Sequence, residues 1–397
     1  MTVGEKAVTA RWREGKSTDV ALLKAINVDQ VLLETPQPEF AAACKTAGIA
    51  TLSSLETVKG GIWPGIRNAG RRRNPNTDVA SASNEPWIDT NLYLVACQRA
   101  MDPGKPALLG YTQGTDATSR LIPFESLEIA FTEASIMGGN FVLDVEDRYL
   151  RGLRANDPKA MAAWTKLGRT IAWLKQNGTK FGRPSLPVIT ALYDGRTGSR
   201  ELANLLYRRI GSPHIVTTPP PPSPRIKALV AASITPPDEA QKRAILAHAQ
   251  AGAVVVVDAD WWRDAAAKSI KVDDDREIFS LGKGQVVAYK KRVADPSEFA
   301  LDVIDLVTYR QRTLRLWNGN TVVGVATEGE RGGALVTLLN YGTNVPEDVQ
   351  VQVIGHYTKA LKHAPGQAPV ILKSARRAAM TEVFVPKIER TCVIEFS

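Results

Sequence analysis

Apolar positions in the first 176 residues follow two alternating rhythms. Short runs have the length and density of strands: AVTARW (7–12), QVLLE (30–34), IATLSS (49–54), TDVASAS (77–83), PALLGY (106–111) and NFVLD (140–144). Between them, TDVALLKAIN, PEFAAACKTAG, IDTNLYLVACQRA and PFESLEIAFTEASIMG repeat apolar residues every three or four positions, as a helix with one buried face does. This alternation predicts parallel strands with helices packed outside. GGIWPGI (60–66) adds another short strand. Six or seven strands are therefore expected where a closed eightfold barrel needs eight, so a TIM-like (β/α) barrel here is short or irregular. An amphipathic helix over 157–177 closes the segment.

FGRPS (181–185) breaks the pattern with Gly, Pro and Ser. A second alternating unit follows: LPVITALYD, helix SRELANLLYRRIG, HIVTT, RIKALVAAS, helix PPDEAQKRAILAHAQAG, AGAVVVVDAD and GQVVAYKK. Its four consecutive valines fit a strand buried on both faces, and its size suits a flavodoxin-like doubly wound sheet. From about Pro296 the period becomes two. TLRLWNG, TVVGVATEG, ALVTLLNYG, DVQVQVIGHY, PVILKS, TEVFVPKI and CVIEF read as short strands of an antiparallel β-sandwich without helices. The expectation is a multidomain α/β plus all-β chain, divided 1–180, 181–296 and 297–397.

Composition narrows the function. The net charge of +9 permits a nucleic-acid partner, but the basic residues are dispersed. Their densest cluster, Arg67 with Arg71, Arg72 and Arg73, lies in an Asn-, Gly- and Pro-rich loop and reads as solvated surface. No zinc-finger spacing, RNP-like aromatic pattern or helix-turn-helix supports that class. No apolar run approaches the ~20 residues of a membrane helix. The opening MTVGEKAVTARW has no apolar h-region, which suits a cytoplasmic protein or a secreted one with its signal removed. Cys44, Cys97 and Cys392 form no CxxC and read as inert buried thiols. All four histidines follow residue 200, which disfavours a metal centre or Ser-His-Asp triad in the first half, and no cofactor is expected.

The order of units and several motifs resemble family-42 β-galactosidases and related barrel glycosidases. Asn84-Glu85-Pro86, in SASNEPWIDTN (81–91), resembles their acid/base motif after a strand. LPVITALYD through AGAVVVV resembles their amidotransferase-like domain, which contributes oligomer contacts and no catalysis. ALVTLLNYG and TEVFVPKIERTCVIEF resemble their terminal sandwich. The resemblance implies Glu85 as acid/base, Asn84 bonding a sugar 2-hydroxyl, a saccharide partner and a homo-oligomer. A working amidotransferase is excluded, because RIKALVAAS runs into ITPPDEA without the cysteine elbow that the chemistry needs.

Glycoside hydrolysis needs two carboxyl groups across the scissile bond, and no metal or histidine. In a parallel barrel such groups sit at the C-terminal strand ends. NFVLDVED supplies Asp144 and Glu146, which share a face by strand alternation, and Asp144 is the first choice as partner. The family's usual nucleophile is a glutamate, and Asp144 departs from it. Glu34 and Glu14 are further acids at that level. Trp12, Trp63, Trp87 and Tyr111 also fall at strand ends, where exposed rings would suit a sugar cleft. A glycoside hydrolase-like protein and a non-catalytic carbohydrate-binding or structural relative remain as the two main readings.

Overall fold

The computed structural model describes residues 7–57, 61–67, 87–105, 107–111, 122–209, 212–290, 296–307 and 311–397. The expected strand TDVASAS, with Asn84 and Glu85 beyond it, lies outside the described residues, as does the Arg71–Arg73 triplet.

In the first segment, β1 (Thr9–Arg11), β2 (Gln30–Leu32), β3 (Ala50–Leu52), the hairpin strands β4 (Gly65–Arg67) and β5 (Trp87–Asp89), β6 (Leu108–Leu109), β7 (Asn140–Phe141) and β8 (Leu143–Asp144) follow in order. Strands β3-β2-β1-β8 form one parallel sheet, and β6 pairs in parallel with β7. Only Val142 separates β7 from β8, and its amide donates to the Leu109 carbonyl at 2.9 Å, so the NFVLD run joins both pairings. Among the described residues β3 and β6 each have one parallel partner, which makes an open arc and not a ring. Helices α1 (Val20–Ala25), α2 (Pro38–Thr46), α3 (Leu92–Met101), α4 (Glu125–Ile136), α5 (Asp147–Arg154) and α6 (Pro158–Gln176) connect or follow the strands. The start of IDTNLYLVACQRA pairs in β5 and does not join α3. Asp157 opens α6 by accepting from the Lys159 and Ala160 amides, with Pro158 at the first turn, where its missing N–H costs nothing.

The middle segment holds β9 (Ile189–Leu192), α7 (Thr197–Arg209), β10 (His214–Val216), β11 (Ala228–Ala231), α8 (Glu239–Ala251), β12 (Val254–Asp258), β13 (Lys268–Val272), β14 (Arg276–Leu281) and β15 (Gly284–Tyr289). Their order is β10-β9-β11-β12-β15-β14-β13, parallel through β15. The antiparallel β13–β14 extension is absent from the sequence reading, because KSIKVDD is too polar to register as a strand. Its two lysines and a bulge between Ser269 and Lys271 blunt an otherwise open sheet edge. Val255, Val256 and Val257 are fully buried, as the valine run requires.

The period-two expectation from Pro296 needs correction. Pro296–Val307 is a helix, α9, with Phe299, Ala300, Val303, Ile304 and Val307 buried at helical spacing. It packs on α7 and β12, and Asp302 pairs with Arg276 at 2.6 Å. Strands β16 (Leu314–Trp317), β17 (Val322–Glu328), β18 (Ala334–Asn340), β19 (Asp348–Ile354), β20 (Ala360–His363), β21 (Val370–Leu372), β22 (Ser374–Arg377), β23 (Met380–Pro386) and β24 (Thr391–Phe396) then form two antiparallel sheets. One is β16-β19-β23-β22 and the other β17-β18-β24-β20-β21, so the last strand in sequence lies at the centre of its sheet.

Two buried carboxylates on α4 join the first segment to these sheets. Glu128 accepts from Arg390 Nε at 3.1 Å and from Thr170 Oγ1 at 2.7 Å. Glu133 accepts from Tyr341 Oη at 2.7 Å, from Thr90 Oγ1 and the Asn91 amide at 3.0 Å, and from Asn91 Nδ2 at 2.6 Å. Burial pushes the Glu133 carboxyl up to about 7, against the lowering effect of these donors.

Candidate functional site

Strand parity builds the candidate site. Successive side chains alternate between faces, so Thr9, Arg11 and Arg13 point one way from β1 while Ala10 and Trp12 point the other. Gln30 and Glu34 share the first face, and Gln30 Nε2 donates to Thr9 Oγ1 at 2.7 Å. In the parallel register Arg11 lies opposite Asp144. Arg11 donates to Asp144 Oδ2 at 3.0 Å, and its Nε lies 3.5 Å from Glu34 Oε1. Arg13 Nη2 reaches both Asp144 oxygens, at 2.8 and 3.1 Å. A third contact runs from Arg11 to the Tyr111 carbonyl at 3.2 Å.

The result is a charged face at the C-terminal strand ends, where Arg11 links a buried aspartate to a half-exposed glutamate. Asp144 is 2% exposed and Glu34 54%. Burial raises the Asp144 pKa, while Arg13 and Arg11 oppose that rise. Tyr111 is buried with its ring 4.5 Å from that of Trp63. Trp63 Nε1 is buried with no acceptor among the described residues. Asn91 bonds both the amide and the carbonyl of Ile62, which ties the Trp63 loop back to Glu133.

The sequence-derived residues fall into groups. Asp144, Glu34, Tyr111 and Trp63 are linked in one cluster, but Tyr111 corrects the expectation of an exposed ring, since it is only 9% exposed. Glu146 lies at the start of α5, 3.7 Å from Arg148 Nε. For Trp87 only the backbone in β5 is described, and Glu85 and Asn84 lie outside the described residues. Trp12 is a correction: it is 1% exposed, stands against Trp164 and donates from Nε1 to Asp19 at 2.9 Å. Its parity turns it toward the helices, so it offers no face to a sugar. Sequence reasoning missed Arg11 and Arg13, although two arginines at alternate positions in an apolar strand were the available signal.

The three cysteines are buried, and burial pushes the thiols of Cys97 and Cys392 up to about 12. Among the described residues no His/Cys/Asp/Glu group could hold a metal ion, and no helix is long and apolar enough to cross a membrane.

In fold the chain is similar to solved structures of an α-L-fucosidase and of a β-galactosidase. An α-L-fucosidase isoenzyme 2 from Paenibacillus thiaminolyticus superposes with a TM-score of 0.53 at 11% identity, covering 100% of both chains. A β-galactosidase from Bacillus circulans sp. alkalophilus gives 0.52 at 11% identity, over 79% of this chain and 59% of that one. A GH42 β-galactosidase from G. stearothermophilus gives 0.48 at 13% identity, over 77% and 56%. The chain thus spans 56–59% of the length of these two β-galactosidases. At such identities the likeness is one of fold. No protein-family model matches the chain, and no curated protein matches it by sequence.

Proposed function

We propose that this chain is a glycoside hydrolase-like protein that acts on a saccharide at the C-terminal ends of its parallel strands. The observation that carries the reading is the strand-end cluster, in which Arg11 joins Asp144 and Glu34 next to the Trp63–Tyr111 ring pair. Carboxylates supply acid/base chemistry, and guanidinium groups bond hydroxyls. Glu85 is the proposed acid/base and Asn84 its neighbour on the sugar. Its partner carboxylate is Asp144, Glu146 or Glu34.

In this reading the first segment is an irregular TIM-like barrel, the middle one an amidotransferase-like scaffold and the last a β-sandwich, divided near 180 and 296. The fold likeness to glycoside hydrolases supports the assignment.

The clamp on Asp144 favours a second reading. A buried carboxylate engaged by two arginines suits an anchor better than a nucleophile, as expected of a binding protein that kept the architecture without the catalysis. Aryl glycosides and polysaccharides tested with wild type, Glu85→Gln and Glu34→Gln separate the two. Hydrolysis that Glu85→Gln lowers roughly 10²–10⁴-fold, with the fold intact, supports the first reading. Saccharide binding without turnover supports the second, and turnover indifferent to Glu85→Gln sinks the assignment of Glu85.

A further inference from the structure

The outer face of the sheet β16-β19-β23-β22 carries rings and polar groups in register, far in sequence from the strand ends. Trp317 lies opposite Gln350, and Gln350 opposite Phe384. In the next row Arg315, Gln352, Glu382 and Ala375 follow one another. The alternate residues Val351 and Val383 are fully buried beneath. Phe384 is 53% exposed, whereas Glu382, on the same face, is only 4% exposed because polar side chains cover it. Gln350 Nε2 and Gln352 Nε2 each donate to its Oε2 at 2.6 Å, and Arg377 Nε donates to Oε1 at 3.0 Å. Burial raises the Glu382 pKa, but these donors together hold it below its ordinary value.

Those bonds turn the amide nitrogens inward. Both amide oxygens and the terminal nitrogens of Arg377 make no bond among the described residues. The buried carboxylate thus orients an array of acceptors and donors around an exposed ring. The Arg315 guanidinium stacks 3.8 Å from the Trp317 ring centroid, and that half-buried indole borders the same row.

We propose that this face binds an extended, neutral polysaccharide chain. A pyranose ring presents an apolar C–H face that stacks on an aromatic ring, and hydroxyls at its edge that amides and guanidinium groups bond. Arg315 and Arg377 are balanced by Glu382 and Asp348, so the face complements an uncharged polymer and not a phosphate backbone or acidic glycan. Trp317 and Phe384 stand two strands apart, roughly 10 Å at ordinary strand spacing, which asks for more than one sugar ring. The surface does not depend on whether the strand-end cluster is catalytic.

Electrophoresis of the full chain through gels containing a soluble cellulose derivative, xylan, galactan or polygalacturonate tests this. Wild type should be retarded by at least one neutral polymer. Phe384→Ala and Gln350→Ala should each weaken that binding by about tenfold, and Phe384→Tyr should keep it. Because Phe384 is exposed, Phe384→Ala should retain the wild-type melting temperature. The proposal is overturned if no neutral polymer retards wild type, if only polygalacturonate does, or if Phe384→Ala binds as wild type. Failure of the aryl-glycoside assay would not alter this readout.

Discussion

Asp144 depends on two guanidinium groups, because a carboxylate removed from water needs compensating charge. Arg11→Ala leaves it with Arg13, whereas removing both arginines leaves an uncompensated buried charge. The double variant should lose roughly 3–5 kcal/mol in urea denaturation, and each single variant less. Equal stability of wild type and double variant would show that Asp144 is neutral or solvated. At this scale much of the cluster was legible: Asp144, Glu34, Tyr111 and Trp63 were all singled out from their position at strand ends. What went wrong with Trp12 was its face. Position along a strand sets the level, but parity decides whether a side chain meets the helices or the strand-end cluster, and residues 9, 11 and 13 share the parity that Trp12 lacks.

Helix α4 shows what period alone misses at the scale of elements. Its apolar spacing marks a helix correctly, but Glu128 and Glu133 look like solvent-facing residues in sequence and are buried instead. Only the sheets that cover the helix reveal this. Glu133 gives the element a pH signature. Its carboxyl ordinarily titrates near 4.5 and is pushed up to about 7 in the fold, so the folded state retains a proton that the unfolded chain gives up. This contribution is fully present below about pH 4.5 and is lost as pH rises through about 7, on the order of 3 kcal/mol. Melting followed from pH 5 to 7.5 should show that decline, and Glu133→Gln should flatten it. An unchanged slope in the variant would assign the dependence to other groups. Helix α9 was missed for a related reason: SEFALDVIDL follows a proline and precedes strands, so its short apolar repeat merged with the period-two pattern beyond.

For the whole molecule, the order of segments was readable because changes of period are long-range features of a sequence. The links between segments were not, since they join single residues more than 200 positions apart, such as Glu128 with Arg390 and Glu133 with Tyr341. These links should make the C-terminal sheets unfold together with the first segment. Arg390→Ala would leave Glu128 buried without its guanidinium partner and should expose the C-terminal sheets to limited proteolysis, whereas wild type should resist. Release of a fragment of about 100 residues from wild type at the same protease dose would contradict this coupling. The central place of β24 has a kinetic consequence. It pairs with both β18 and β20, so the five-stranded sheet stays split into two hairpins until the chain through Phe396 has been made. Pairings so distant in sequence are slow to find, and the unjoined edges of β18 and β20 are the surfaces on which this protein would aggregate while it folds.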